Sequence, residues 1–384
     1  MKDLIKFELY KIFSKKIVLI LLAICIIASL SETVTSYLDL KSKGLSYSSI
    51  QKIGKEYEGE SITEKKRDIF EKQGTALLRK YNNGKILSEK EKVRTFGMMD
   101  YMLSTNPQYM IKGKFYTFNG MKKELKRLEK EGDINNYEYK ELKYIHDLVD
   151  KKENPKYYFK FGWREATDFN MNCMWMSILI LVSICTIFSN EYQSNTASIV
   201  LSSKNGQKKL TTAKVITGLI FSTFVFLIMN GIQVIILAMH GFKGWDVPMS
   251  FLDSYVRTPY TINIGTFYIY GLIVSFIGVL LFTLVIMLAS LISKSNLVSL
   301  ALGVAILLGP EFIGRFMPTY NLAKVFAELN IESLIGPKNI FGNISTYNIF
   351  GKPVLYLNVI VMIGIISIPI VLYFINELGK KQVV

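Results

Sequence analysis

Apolar residues in this sequence are gathered into six stretches separated by polar segments. Each stretch is near or above the roughly 20 residues that an α-helix needs to cross a bilayer. Backbone groups inside lipid have no water to bind, so each stretch is expected to be a helix. The pattern predicts an all-α polytopic membrane protein rather than a soluble enzyme. The six predicted transmembrane helices run approximately from residue 15 to 35, 171 to 189, 214 to 239, 266 to 293, 297 to 315 and 354 to 376.

The first apolar stretch has a second interpretation, because a basic start followed by a short apolar run also describes a secretory signal peptide. Its leading segment is long, carries Asp3 and Glu8, and is followed by no clear small-x-small cleavage site. We therefore expect it to remain as transmembrane helix 1, within residues 1–36. Transmembrane helices 2–6 are assigned to residues 171–384.

A long polar insertion, residues 37–170, separates the first two predicted membrane helices. It contains 28 basic and 21 acidic residues, a net charge of +7. Asn119 is predicted to cap a helix, and Gly132 and Asp133 to form the turn to the next one. We expect a helical hairpin there and a further helix near residues 61–80. The inner faces of the hairpin are predicted to carry Met121, Leu125, Leu128, Leu142, Ile145 and Val149.

Aromatic residues are dense just before the second membrane helix. Aromatic rings are enriched at the interface between membrane and water, which favours an outer interfacial belt. The alternative is that these rings form the core of the external domain. The residues are Tyr157, Tyr158, Phe159, Phe161, Trp163 and Phe169.

Basic residues near the membrane predict the orientation, since cytoplasmic segments carry an excess of Lys and Arg. With a cytoplasmic N-terminus, the inner segments hold twelve lysines against only four acidic residues. Both termini are therefore predicted to be cytoplasmic, and residues 37–170 to be extracellular, in a protein of the cell membrane. The twelve are Lys2, Lys6, Lys11, Lys15, Lys16, Lys204, Lys208, Lys209, Lys214, Lys294, Lys380 and Lys381.

Composition narrows the function classes further. The chain of 384 residues has a formal net charge of +15 and only 3 Cys, all of them inside apolar stretches. This distribution predicts neither a disulfide framework nor a thiolate metal site. His146 and His240 are too far apart for the usual zinc spacings. We expect no metal, no cofactor in this chain and no nucleic-acid partner.

The predicted membrane helices lack the ionisable residues of ion-coupled transporters, and the chain lacks the motifs of membrane enzymes. Residues 215–239, 266–293 and 354–375 contain no Asp, Glu, Lys, Arg or His, whereas ion-coupled transporters usually keep such a group near the midplane. The sequence motifs of intramembrane proteases and serine hydrolases are missing. The nucleotide-binding motif G-x-x-x-x-G-K-[ST] is also missing: its best approximations, Gly84-Lys85 and Gly351-Lys352, lack the leading Gly and the following Ser or Thr. The chain is therefore not predicted to be an enzyme, and any ATP would be hydrolysed by another chain.

A few polar residues remain within or at the ends of the predicted membrane helices. Glu311 and Arg315 are four residues apart and are expected to form a surface ion pair. The remaining polar side chains are expected to bridge helices rather than bind substrate. They are Asn172, Asn230, Gln233 and Asn358.

The loop between the second and third membrane helices, residues 190–213, has a distinctive layout. Glu191 follows the membrane helix, a short helix around residues 199–201 and a glycine-containing turn come next, and lysines lead into the following membrane helix. This layout predicts a small helix on the membrane surface with room to contact a partner. The loop resembles that of permease subunits of type-2 ABC exporters, and the matching residues are Phe188, Glu191, Thr196, Leu201, Ala213 and Lys214.

Two departures from that family pattern are visible. Asn195 stands where the family usually has Gly, and Lys208 or Lys209 stands where Arg is common. The N-terminus also resembles the family, whose opening is an interfacial elbow helix with a Glu-x-x-Lys pair, here Glu8 and Lys11. A straight extension of the first membrane helix is the alternative. One face of this segment would carry Ile5, Leu9, Ile12 and Phe13.

The resemblance implies a fold of six transmembrane helices with a large helical extracellular insertion between helices 1 and 2. It also implies a second permease subunit, identical or paralogous, and cytoplasmic ATPase subunits that bind ATP and Mg²⁺. The external segment 316–353 resembles the family's re-entrant helices. Residues implied to contact the ATPase are Glu191, Thr196, Leu201, Lys208, Lys209 and Lys214.

Two functions are therefore expected from the sequence. The first is export of an amphipathic or hydrophobic substrate, such as an antimicrobial peptide, a drug or a lipid. The second is a membrane receptor or assembly protein that does not transport and whose extracellular domain senses a ligand. Membrane lipid is an expected partner, because the +7 charge of the insertion favours anionic lipid headgroups or wall polymers. A solvated basic surface that binds neither is the default alternative.

Overall fold

The computed structural model describes most of the chain. The description covers residues 1–42, 46–56, 58–61, 63–95, 109–111, 114–152, 156, 158, 161–198, 208–240, 242, 244–317, 321–342 and 344–380. Helix α1 (Lys2–Phe13) is followed by α2 (Lys16–Ser42). The remaining long helices are α8 (Phe169–Ile184), α10 (Lys208–His240), α11 (Ile264–Ser293), α12 (Asn296–Phe316) and α16 (Tyr356–Lys380).

Five helical segments of the described chain are long and apolar enough to cross a membrane. They are Asn172–Gln193, Lys208–Met239, Ile264–Ser293, Asn296–Phe316 and Tyr356–Lys380. The pair α1 and α2, bent by 68°, gives a sixth if it counts as one span. These helices indicate a largely helical, polytopic membrane protein, and they lie close to the six predicted stretches.

Helix α11 is the centre of the bundle. It packs against α8, α10, α12 and α16, and most of its side chains are buried, including Phe267, Phe282 and Met287. A helix that is apolar all round is expected in such a position, because no face of it needs to meet water. The helices around it, by contrast, expose apolar side chains outward, as expected for a surface in contact with lipid.

Segment 316–353 contains three short helices, which pack into the bundle. They are α13 (Asn321–Glu328), α14 (Ile331–Ile335) and α15 (Lys338–Gly342). The Ser275 hydroxyl of α11 donates to the Ile335 carbonyl oxygen at 2.6 Å. Gly278 permits this approach, because a Cβ there would lie 2.6 Å from the Ile335 nitrogen. The segment thus reaches halfway along α11.

The insertion contains the predicted helical hairpin, formed by α5 (Phe118–Glu131) and α6 (Tyr137–Asp150). Thr117, not Asn119, caps α5: its hydroxyl accepts from the Gly120 N–H at 3.1 Å. The predicted cap was wrong because Asn119 lies inside the first turn. Gly132 ends α5 with φ 77°, a conformation that glycine adopts without strain. The other helices are α3 (Tyr47–Glu56), α4 (Glu64–Asn82) near the predicted 61–80, and α7 (Phe161–Ala166).

Two antiparallel β-hairpins are present, which the prediction of an all-α chain missed. Strand β1 (Tyr109–Ile111) pairs with β2 (Lys114–Tyr116), and β3 (Thr346–Ile349) pairs with β4 (Lys352–Leu355). The second turn is formed by Phe350 and Gly351, both with positive φ, which suits a two-residue hairpin. Strand β4 packs against α6. The hairpin between α15 and α16 therefore contacts the insertion.

The aromatic residues before the second membrane helix are partly a packed cluster rather than an interfacial belt. Trp163 and Phe169 are buried and contact Tyr268 of α11 edge-on and stacked, respectively. Trp245 joins them. This cluster belongs to the outer part of the bundle, so neither sequence interpretation describes it fully. Tyr157 and Phe159 lie outside the described residues.

Candidate functional site

The elbow expected at the N-terminus is present in the structure. Helix α1 ends at Phe13, and the chain turns by 68° before α2 begins at Lys16. A straight extension of the first membrane helix is therefore wrong. Ile12 is buried, and Glu8, one turn before it, is only 3% exposed. Burial of a carboxylate requires a cationic partner.

Glu8 and Glu191 share one lysine. Lys11 Nζ lies 2.7 Å from Glu8 Oε1 and 3.5 Å from Glu191 Oε1. Glu191 Oε1 also lies 2.7 Å from Lys214 Nζ. Two carboxylates thus alternate with two ammonium groups, and we call these four residues, Glu8, Lys11, Glu191 and Lys214, the charge junction. It joins α1, the bend after α8 and α10.

Lys214 is buried, unlike Lys208 and Lys209, with which the sequence analysis placed it as a contact for a partner. It is 1% exposed, and its ammonium donates to the Ile187 carbonyl oxygen at 2.8 Å and lies 4.9 Å from the centre of the Phe188 ring. A buried ammonium group is costly unless it is paired and hydrogen-bonded. Lys214 therefore acts inside the junction, where it has these partners, and presents no ammonium to an outside surface.

Other predicted loop residues remain at the surface. Lys208 and Lys209 begin α10 and are exposed. Thr196 is exposed as well, and its backbone N–H donates to the Glu191 carbonyl oxygen at 3.0 Å. Leu201 lies outside the described residues, as does the predicted short helix around residues 199–201.

Asn195 adopts the left-handed conformation, with φ 56°. Among residues with a Cβ, Asn tolerates this region best, while Gly adopts it freely. This geometry gives a physical reason for a Gly–Asn exchange at this position. Asn195 therefore suits the left-handed turn at this point of the loop.

A hydrogen-bond network fastens the bend to two more helices, and the sequence analysis missed it. Helix α9 (Ser189–Gln193) forms the bend. The Ser290 hydroxyl of α11 accepts from the backbone N–H groups of Phe188 and Ser189, both at 3.1 Å. The Ser189 hydroxyl donates to Asn296 Oδ1 of α12 at 2.6 Å. The sequence signal that could have indicated this network is the presence of Ser and Asn near the ends of apolar helices.

A small cavity lies beside the junction. Its volume is about 180 Å³, and its lining includes Lys11, Lys15, Ser183, Thr186 and Glu191. Lys15 Nζ donates to the Thr186 hydroxyl at 2.5 Å. Burial lowers the pKa of Lys15 from its ordinary value, against the opposing effects of Cys185 and Glu8. The cavity thus contains a partly desolvated cation.

Polar groups elsewhere in the bundle behave largely as structural bridges. Ser29 donates to Asn172 Oδ1 at 3.2 Å, which links α2 to α8. Asn230 donates to the Phe226 carbonyl oxygen within its own helix at 2.9 Å and to Met176 Sδ of α8 at 3.7 Å, which links α10 to α8. In the described part of the chain, Gln233 and Asn358 make no hydrogen bond to another helix, so the predicted bridging role is not seen for them.

Two further observations concern ionisable groups. Arg315 Nη2 lies 2.5 Å from Glu311 Oε1, and both side chains are exposed, as expected for a surface ion pair. Glu332 of α14 is half-buried, a position that sequence reasoning did not anticipate because it depends on how segment 316–353 packs. Among the residues that the structure describes, no group of three His, Cys, Asp or Glu side chains is arranged to hold a metal ion.

The charge junction and the bend around Glu191 are therefore the candidate functional site. They bring together the two segments, the N-terminal helix and loop 190–213, that the sequence singled out separately. Comparison of the chain with protein-family models, curated proteins and solved structures gives no match.

Proposed function

We propose that this chain is the transmembrane permease subunit of an ATP-driven exporter of the type-2 ABC class. In this proposal it lies in the cell membrane with both termini in the cytoplasm and pairs with a second permease, identical or paralogous. Separate ATPase subunits bind ATP and Mg²⁺, and the chain itself catalyses no reaction. The substrate is an amphipathic or hydrophobic compound, such as an antimicrobial peptide, a drug or a lipid.

One observation carries the proposal: the bend at Glu191 is attached to four other helices. Ion pairs connect it to α1 and α10, and hydrogen bonds connect it to α11 and α12. A partner that displaced this bend would therefore displace several membrane helices together. Such a connection is what a permease needs in order to receive work from a separate motor protein.

The surface next to the bend has a suitable charge for docking. Lys208 and Lys209 are exposed at the start of α10, so they can meet acidic side chains of an ATPase. Charges at the rim of an interface contribute mainly to orientation and to the rate of association. In this proposal the two lysines and Thr196 contact the partner, while Glu191 and Lys214 hold the bend in place from behind.

The test is co-purification of the chain with the ATPase encoded nearest to it. Replacing both Lys208 and Lys209 with Glu is expected to reduce recovery of the ATPase and to lower its ATP turnover in the complex. Each reversed charge weakens an electrostatic contact at the interface rim. Unchanged recovery and unchanged turnover in this variant would count against the proposal.

A matched control is available in the insertion. Lys122 and Lys123 of α5 are also adjacent and exposed, and the proposal assigns them to the opposite side of the membrane. Replacing this pair with Glu makes the same change in net charge. ATPase recovery is expected to stay at the level of the unaltered chain, which separates a specific contact from a general effect of charge.

The second candidate is a receptor or assembly protein with a ligand-sensing extracellular domain. It draws support from contacts between the insertion and the membrane part: Thr346 donates to Glu141 Oε1, and Lys338 Nζ lies 2.5 Å from Asp168 Oδ2. These contacts could relay ligand binding to the bundle. If the purified chain responded fully to its ligand without any ATPase, this candidate would be favoured over export.

A further inference from the structure

Lys15 occupies a special position at the elbow. It lies between α1 and α2, lines the 180 Å³ cavity and is only partly exposed. The other charged residues around the cavity are paired: Glu8 with Lys11, and Glu191 with Lys11 and Lys214. Lys15 has a single described partner, the neutral hydroxyl of Thr186. The charged residues that line the cavity are Glu8, Lys11, Lys15 and Glu191; with the buried Lys214 behind Glu191, the region holds two carboxylates and three ammonium groups, a net charge of +1.

A buried hydroxyl in the cavity wall lacks a partner. Ser183 is fully buried, and its Oγ has no hydrogen-bond partner among the described residues. Buried polar groups are normally hydrogen-bonded, so an exception calls for an explanation. Because Ser183 lines the same cavity as Lys15, a bound polar group would supply the missing acceptor.

The cavity lies at the turn between two helices. Helix α1 ends at Phe13 and α2 begins at Lys16, so the negative end of one helix dipole and the positive end of the other meet there and oppose each other. The cavity volume of about 180 Å³ is also several times the volume of one water molecule, on the order of 30 Å³, so it can admit a phosphate-sized group.

We propose that this cavity binds a phosphate group, carried by the headgroup of an anionic phospholipid. Lys15 supplies the charge, Ser183 donates a hydrogen bond, and the carboxylates of Glu8 and Glu191 are neutralised by their own lysines. The inference goes beyond the exporter proposal and does not depend on it, since it needs only a chain embedded in a bilayer.

The surroundings favour a lipid over a free phosphate ion as the source. Above Lys15, helix α2 exposes Ile17, Ile20, Ile24 and Ile27, each at least 44% exposed. Acyl chains attached to the bound phosphate can extend along this apolar surface. Anionic lipids are also the species that lysines at a membrane surface attract.

The test measures binding of three probes to the purified full-length chain in detergent, by native mass spectrometry and thermal unfolding. Phosphatidylglycerol is expected to bind and to raise the unfolding temperature. Diacylglycerol with the same acyl chains lacks the phosphate and is expected to do neither. Equal effects of the two lipids would overturn the proposal. Stabilisation by inorganic phosphate but not by phosphatidylglycerol would overturn the lipid source.

Neighbouring lysines provide the matched variants. Lys15→Gln is expected to weaken phosphatidylglycerol binding at least about tenfold, because it removes a hydrogen bond to a charged group. Lys16→Gln removes the same charge from an exposed position and is expected to change binding less than about twofold. Equal losses in the two variants would indicate diffuse attraction and would overturn the assignment of the site.

Two further variants separate binding from folding. Lys15→Arg keeps the charge and is expected to retain most of the binding. Ser183→Ala is expected to weaken phosphatidylglycerol binding by about tenfold, because it removes a hydrogen bond to a charged phosphate, without lowering the unfolding temperature of the lipid-free chain. Undiminished binding by Lys15→Gln, with its lipid-free unfolding temperature intact, would contradict the proposal directly.

Discussion

Lys214 Nζ lies 2.7 Å from Glu191 Oε1, and this pair connects the bend after α8 to the start of α10. The two residues are 1% and 14% exposed at their side chains, so water screens their interaction little. A pair in this environment constrains the backbone on both sides. The stability of the bend should therefore depend on Glu191 and Lys214 together rather than on either residue alone.

Glu191→Gln is expected to destabilise the chain by about 3–5 kcal/mol, because it leaves the ammonium of Lys214 buried without its principal counter-charge. The double variant Glu191→Gln with Lys214→Met is expected to recover a large part of this loss. The free energy of unfolding, measured by denaturant titration, checks both. Glu311→Gln breaks an exposed pair and serves as the control, with an expected change of about 1 kcal/mol or less. Additive losses in the double variant would refute the coupling.

Asn195 provides a test of backbone conformation. Asn195→Gly is expected to leave stability nearly unchanged, whereas Asn195→Val should cost on the order of 1–2 kcal/mol, because a β-branched side chain is strained at φ 56°. Thermal unfolding of the two variants measures the difference. Ser194→Val, at the neighbouring exposed position with φ −86°, controls for the side chain itself. If Val were tolerated equally at both positions, the left-handed turn would not be required.

Gly278 tests the packing of segment 316–353 against α11. Gly278→Ala is expected to destabilise the chain by about 1–3 kcal/mol, the usual cost of overpacking, because the new Cβ would meet the backbone of Leu334 and Ile335. Gly231→Ala in α10 makes the same substitution where no atom lies within 4 Å. It should be neutral or stabilising by up to about 1 kcal/mol. Similar unfolding temperatures for both variants would show that α14 does not pack so closely.

Glu91 gives the insertion a pH dependence. Hydrogen bonds from Lys80 and Ser88 lower the pKa of Glu91 from 4.5 to about 2. A carboxyl group whose pKa is lower in the folded state stabilises the fold above its unfolded pKa and ceases to do so as the pH falls through its folded pKa. The stability difference between the unaltered chain and Glu91→Gln should therefore be constant above about pH 4.5 and shrink towards pH 2.

The measurement for Glu91 is the free energy of unfolding of both chains at a series of pH values. Glu71→Gln in helix α4 controls for the loss of one surface carboxylate. A difference that stays constant down to pH 2 would show that the contacts of Glu91 are not maintained in solution.

Periodicity in the sequence was sufficient to locate the membrane helices, because an apolar run of membrane length has few alternatives to a helix. The hairpin of α5 and α6 was predictable for a similar reason, since Leu125 and Leu128 repeat at helical spacing and Gly132 marks a turn. Strands β1 to β4 were missed because three or four residues each are too few to show a period of two.

The site was only partly predictable. Glu8, Lys11, Glu191 and Lys214 were each singled out in the sequence, but their assembly into one junction depends on how α1 folds back from α2. Little in the sequence around Lys214 indicates burial, because four of the six residues before it in α10 are polar or charged: Lys208, Lys209, Thr211 and Thr212. The cavity at Lys15 and the role of Ser290 depend on distances between helices far apart in the chain, which a pattern along one segment does not encode.

Strand β4 ends at Leu355, and α16 begins at the next residue, Tyr356. This junction has no linker that could absorb a rotation. Any change in the inclination of α16 would therefore be passed to β3 and β4 and, through their packing on α6, to the orientation of the hairpin formed by α5 and α6. The angle between this hairpin and the long apolar helices would then change with the conformation of those helices, and a pair of fluorophores, one on each, would measure it.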